Sequence, residues 1–216
     1  MREIRVAIFG LGGVGSWCAE ALVRTGVRKF MLVDCDRVAA SNVNRQAMAT
    51  PATVGKVKIE AMAARMKEIE PGAEFELRPV RYDETTAGSF GLGRFDFAID
   101  AIDSIGCKAR LVREVIGCGG PELFSSMGAA RRFDPTRVRT SPFSRVEGDA
   151  LAKALRRTFR RTPGGMPEKD FFCVWSAEPL AELPDRSLGS LVQTTAVFGL
   201  ALAALVTDSV RRRCRA

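Results

Sequence analysis

The chain reads as an α/β protein: a twisted, mostly parallel sheet with helices on both faces and a modified C-terminal third. Three observations predict this. Short apolar runs alternate with helical periodicity from residue 5 onward. The first run is apolar almost without interruption, as expected of a strand covered on both faces. A glycine-rich turn, GLGGVGS, joins that run to the first helix.

Residues 5–9 (RVAIF) predict the first strand. Residues 13–25 predict a helix with Val14, Trp17, Cys18, Ala21 and Leu22 on one stripe, ended by Gly26. A second strand over 29–34 leads to a polar loop over 39–53. A long helix over 54–70 is stopped by Pro71 and Gly72. Strands over 75–80 and 95–101 flank the turn GSFGLG, followed by a helix over 107–118 and a strand over 123–127. After Gly128 the rhythm changes. Residues 137–140 alternate as a strand, 148–161 form a basic amphipathic helix, and 162–170 (TPGGMPEKD) a flexible loop. A strand over 171–175 and a closing helix over 190–213 complete the pattern. Neither an internal repeat nor linker composition divides the chain, so residues 1–216 read as one domain.

Composition excludes several chemistries. Histidine is absent, which rules out every triad with an imidazole base. The six cysteines form no C-x-x-C pair, so they read as reduced intracellular thiols rather than a zinc site. The formal net charge is +8, concentrated at Arg131 and Arg132, over 153–161 and over 211–215. Charge alone leaves open whether these clusters bind a polyanion such as RNA or are a solvated surface. Two stretches imitate membrane signals. The N-terminal one is interrupted by glycines and lacks a small-residue cleavage site. Residues 188–206 are long and apolar but contain Gln193, Thr194 and Thr195, which favours a buried packing helix over a span. No membrane association is expected, and the cytoplasm is the expected location.

Gly10, Gly12, Gly13 and Gly15 fall where a strand turns into a helix. There, backbone without Cβ atoms can approach a phosphate, and free amides with the helix dipole stabilise its charge. Asp34 follows Gly15 by 19 residues, at the end of the second strand, with Asp36 beside it. An acid at this place can bond ribose hydroxyls. This Rossmann-like fingerprint predicts a bound nucleotide without separating NAD from ATP. The block Ser41, Asn42, Asn44, Arg45 and Gln46 is too polar for a dinucleotide domain's usual next element. Lys58 lies on the long helix, and Asp103 just beyond a strand in AIDAIDS. An arginine, a lysine and a metal-competent aspartate around phosphates suit attack by a carboxylate on phosphorus. The cations, and magnesium held by the aspartate, offset the repulsion between two anions. Singly, Arg45 and Lys58 could be surface charges, and Asp100 or Asp103 could cap the helix beginning near Ile105.

GLGGVGS, the acids at Asp34 and Asp36, SNVNRQ, VGKVK and DAIDS together resemble the ubiquitin-activating-like adenylating superfamily of ThiF-, MoeB- and HesA-type enzymes. The resemblance implies an ATP-dependent ligase that adenylates a carboxylate. It implies phosphate contacts at Gly13, ribose at Asp34, nucleotide contacts at Asn42, Arg45 and Lys58, magnesium at Asp103, and Ser104 beside the adenine or phosphates. Residues 1–128 then form the ATP-binding core and 129–216 an extension for substrate and dimer contacts.

SSMGAARRFDPTRVR, FCVWSAEP and GSLVQTTAVFGLALA resemble the branch of tRNA threonylcarbamoyladenosine dehydratases. That branch implies a threonylcarbamoyl group on tRNA as substrate, with a homodimer to which 188–206 contributes. An alternative is the C-terminus of a ubiquitin-like sulfur-carrier protein, with a cysteine desulfurase as a possible associate, and a third is an NAD-binding Rossmann protein. Such enzymes carry a helix before the first strand, with an arginine that reaches a neighbouring subunit's ATP. Here the chain begins almost at the strand, so that arginine is expected to be missing or replaced. Residues 162–187 are expected to be a shortened substrate-covering segment. Cys173 is expected to be a buried structural thiol rather than a nucleophile.

Overall fold

Seven strands form one sheet in the order β3-β2-β1-β4-β5-β7-β6 in this computed structural model, which describes residues 1–180 and 189–215. The strands are β1 Arg5–Phe9, β2 Lys29–Val33, β3 Glu74–Arg78, β4 Phe97–Asp100, β5 Glu122–Ser126, β6 Val138–Pro142 and β7 Phe172–Ser176. All neighbours pair in parallel except β6, which runs antiparallel to β7 at the edge. The helices are α1 Gly15–Arg24, α2 Lys58–Ile69, α3 Ile105–Gly117, α4 Ala150–Arg161 and α5 Val192–Arg213.

The pleat of β1 explains the layering. Val6 and Ile8 face one core with α1, α2 and α5, while Ala7 and Phe9 face the other with α3 and α4. Both faces are covered, which is why the strand is apolar from Val6 to Phe9, after the exposed Arg5. By length and apolar composition α5 could cross a membrane. Its Phe198, Leu202 and Val206 are instead fully buried in the first core. Each such burial is worth about 1.5–3 kcal/mol relative to exposure. Gly199 lets α5 cross closely over α1, since a Cβ there would lie 2.5 Å from the Val14 carbonyl oxygen. Leu188 and residues 181–187 of the expected covering segment lie outside the described residues.

Three sequence expectations need correction. The second long helix begins at Lys58, not at residue 54: Gly55 has φ +90° and Val57 pairs with Arg37 as an isolated bridge, so the chain is still turning there. Arg132 is not part of a basic surface, because it is 1% exposed and ion-paired with Asp149. Neither Asp100 nor Asp103 caps α3: Ser104 is the N-cap residue, with no side-chain capping bond. The loop over 162–170 is held at its start by Arg113, which donates to the carbonyls of Pro163 and Gly165.

Candidate nucleotide site

The C-terminal ends of β1, β2 and β4 open onto a cleft of about 580 Å³. This is the edge where open parallel sheets place ligands, at the point where successive crossovers diverge. Gly10, Gly12 and Gly13 line one side of it. Gly10 adopts φ +89° and sits so close to the β4 turn that a Cβ would lie 2.7 Å from the Ala101 carbonyl oxygen. The N-cap residue Val14 makes no side-chain capping bond, so the first turn of α1 presents backbone N–H groups, the donors an anion can use. At Gly13 a Cβ would meet Thr195 at 3.1 Å and Arg45 Cγ at 3.3 Å. At Gly12 it would meet open space.

The second strand delivers the acids. Asp34 Oδ2 accepts the Leu11 N–H at 2.7 Å and Oδ1 the Asp36 N–H at 2.8 Å. The carboxylate is thereby fixed beside the glycine turn and keeps further acceptor capacity. Asp36 pairs with Lys58 Nζ at 2.7 Å, and this bond holds its carboxyl below the ordinary value. Lys58 is the first residue of α2, its side chain is 8% exposed, and its amide bonds the Asp36 carbonyl. Both the lysine and its acid border the cleft.

The polar block folds as a short 3-10 turn over Ala40–Asn42 and a loop. Arg45 is half-buried and lines the cleft. Its carbonyl accepts from Trp17 Nε1 at 2.9 Å, and its Nη1 donates to the Ser41 carbonyl and to Asn44 Oδ1. Asn42 and Gln46 also line the cleft, and Gln46 Oε1 is buried with no hydrogen-bond partner among the described residues. Such an atom suits a ligand's donor. Asp103 and Ser104 complete the opposite side; Asp103 is exposed, with no hydrogen bond among the described residues.

Two expected residues stand elsewhere. Gly15 is inside α1 and does not line the cleft; a Cβ there would fall 1.9 Å from the Gly10 carbonyl oxygen, so packing accounts for it. Asn44 is also off the cleft, donating to the Ser190 carbonyl at 3.2 Å and thereby fastening the loop to the start of α5. Conversely Thr195 and Cys107 line the cleft without a signal in the sequence, and Arg81 lines it as well. Arg81 could have been found by noting that a strand ends just before it on the ligand-bearing edge. Cys173, on β7, is fully buried, and that burial pushes its thiol well above the ordinary value, as a structural role requires.

The far wall comes from residues 127–130. Arg132 donates to the Gly128 carbonyl and to Asp149 Oδ2, both at 2.9 Å. Asp149 Oδ1 accepts the Ala152 N–H at 2.9 Å, capping α4. Glu178 accepts the N–H groups of Phe133 and Asp134 at 2.9–3.0 Å, which ties VWSAEP to GAARRFDP.

A model of the ThiF family matches residues 1–207. The chain belongs to the ThiF family. Among its relatives, the tRNA threonylcarbamoyladenosine dehydratase of Bacillus subtilis is 42% identical over 161 residues, covering 74% of this chain and 63% of that protein. The tRNA threonylcarbamoyladenosine dehydratase 2 of Saccharomyces cerevisiae is 38% identical over 194 residues, covering 84% and 42%. The chain thus spans less than two thirds of the length of these two ThiF-type relatives. A solved structure of the E. coli tRNA N6-threonylcarbamoyladenosine dehydratase in complex with ATP superposes with a TM-score of 0.88 at 31% identity, covering 99% of this chain and 88% of that one.

Proposed function

We propose that this chain is an ATP-dependent adenylating enzyme whose substrate is the threonylcarbamoyl carboxylate on a tRNA adenosine. The observation that carries the reading is the convergence of the α1 cradle, Arg45, Lys58 and Asp103 on one cleft. The relatives named above support it. The cradle fits a polyphosphate because its backbone is open at Gly12, where nothing lies within 4 Å of a Cβ position, while Gly10 and Gly13 let the turn pack closely on Ala101, Thr195 and Arg45. Asp34 has acceptor capacity for ribose hydroxyls, and Asp103 is an exposed carboxylate of the kind that suits magnesium. Magnesium bound there would neutralise phosphate charge.

The substrate carboxylate oxygen attacks the α-phosphorus and pyrophosphate leaves, giving an acyl-adenylate. A nucleophilic atom of the same modified group then closes onto the activated carbonyl and expels AMP. Arg45 and Lys58 offset the meeting of two anions and the charge that develops. The nucleophile belongs to the substrate, so a chain without histidine is adequate. The outward residues Lys153, Arg157, Arg160 and Arg161 of α4 offer phosphate contacts that position tRNA without reading bases. Arg156 is not among them, since it donates to the carbonyls of Phe143 and Val146. A cytoplasmic homodimer is part of the same reading.

The test is AMP formation from ATP with a threonylcarbamoylated tRNA stem-loop. Wild-type protein should release AMP, and Arg45→Ala or Asp103→Ala should lower the rate at least ~100-fold with the fold intact. Wild-type release with a carrier-protein C-terminus instead, or stabilisation by NAD alone, would overturn the substrate or the chemistry.

A further inference from the structure

Directly behind the segment that carries Asp103 lies a polar network that does not touch the cleft. Asp100 ends β4, and its carboxylate takes three donors. Ile102 N–H reaches Oδ1 at 3.1 Å, while Lys108 Nζ and Ser125 Oγ each reach Oδ2 at 2.7 Å. Lys108 Nζ also donates to Ser125 Oγ at 3.2 Å. All three side chains are 0% exposed. A fully buried ion pair adds little stability over an apolar replacement, so stability alone is a weak reason for it.

Its geometry supplies another reason. Residues 101–104 form the turn between β4 and α3, and one end is pinned by Ala101 N–H on the Phe9 carbonyl at 2.9 Å. The other end is pinned by Lys108 N–H on the Ser104 carbonyl at 2.9 Å. Between those pins, the Ile102 N–H bond to Asp100 restrains the turn's backbone. Lys108 therefore binds the turn twice, through its amide and, by way of Asp100, through its ammonium. Ser125 anchors the same carboxylate to β5. Asp103 itself has no hydrogen bond among the described residues, so its place depends on the backbone beneath it.

We propose that Lys108, Asp100 and Ser125 are positioning residues that hold Asp103 at its distance from the phosphate cradle. This rests on the reading of Asp103 given above. The supporting shell of a metal-competent carboxylate typically governs affinity or rate by ~10–100-fold.

The experiment compares the full chain with Ser125→Ala, with the double variant Asp100→Asn/Lys108→Met, and with Asp103→Ala as reference. Each is measured for thermal unfolding, for ATP affinity in EDTA and in magnesium, and for kcat and KM of AMP formation. The double variant keeps a neutral acceptor for Ile102 and leaves no unpaired buried charge. Its metal-free ATP affinity should stay within ~2-fold, while the gain from magnesium and kcat should each fall ~10-fold, matching the direction of Asp103→Ala. Ser125→Ala should shift both by ~3-fold the same way, and it decides the matter if the double variant does not fold. Variants that melt earlier yet keep the magnesium gain and kcat would reduce the network to a structural role and overturn the proposal. An inactive Asp103→Ala beside fully active network variants removes this inference alone. A fully active Asp103→Ala removes the site reading and the inference with it.

Discussion

On one side of the cleft, residues 10–14 make a wall from backbone, and its shape comes from a run of glycines within a few positions of one another. On the other side, residues 127–130 make a wall held by Arg132 and Asp149, and Glu178 ties the chain just after it from 45 residues beyond Phe133. The first wall is a local conformational fact: strand, tight turn, uncapped helix. The second exists only when distant polar groups meet. The contrast teaches that a motif can announce a ligand while saying little about what encloses it.

The two walls should fail differently. Gly15→Ala tests the backbone wall, and the added Cβ would overlap the Gly10 carbonyl oxygen. It should cost about 4 kcal/mol or more, an exceptional value for one methyl group, and weaken ATP binding beyond detection by calorimetry. A binding-competent Gly15→Ala would show that the cradle tolerates rearrangement. Arg132→Met tests the far wall by leaving Asp149 buried and unpaired. It should lose about 3–5 kcal/mol in urea unfolding, and adding Asp149→Asn should recover part of that. Equal stability of the single and double variants would remove the pair from the wall's support.

Smaller effects sharpen the comparison. Glu178→Gln keeps the shape but loses the charge behind two amide bonds, so about 1 kcal/mol is expected, or a Tm lower by ~2–4 °C. A shift confined to the ATP-bound form would mean the clasp forms only with ligand. The mildest test concerns Glu20, buried between α1 and α2. Burial raises its carboxyl, yet Arg65 and Arg24 outweigh that and leave it below 4.5. A depressed carboxyl contributes stability that is present above 4.5 and lost as pH falls through the folded value. Glu20→Gln should therefore flatten the acid limb of Tm against pH below 4.5 and leave the profile's shape above it unchanged.

Much of the molecule was legible because its signals are local. The strand RVAIF, the glycine turn and the acid after β2 follow from periodicity and from φ that only glycine adopts freely. The pattern puts Lys58 on its helix but starts that helix too early, because pairing of Val57 with Arg37 is a tertiary contact. Arg132 looked like surface charge because hydropathy does not know its partner, and Asp149 is 17 residues away. Thr195 reaches the cleft only because Gly199 lets α5 lie close on α1, which no motif encodes. Alternation marks β6 as a strand, while its antiparallel direction depends on the return through α4.

One carboxylate has a mechanical consequence. Asp149 caps α4 with one oxygen and grips Arg132 with the other, and Arg132 grips Gly128. The basic helix and the cleft wall are therefore geared together without a hinge between them. A long polyanion seated on that helix would have its reach to the cradle measured out in advance, as by a ruler.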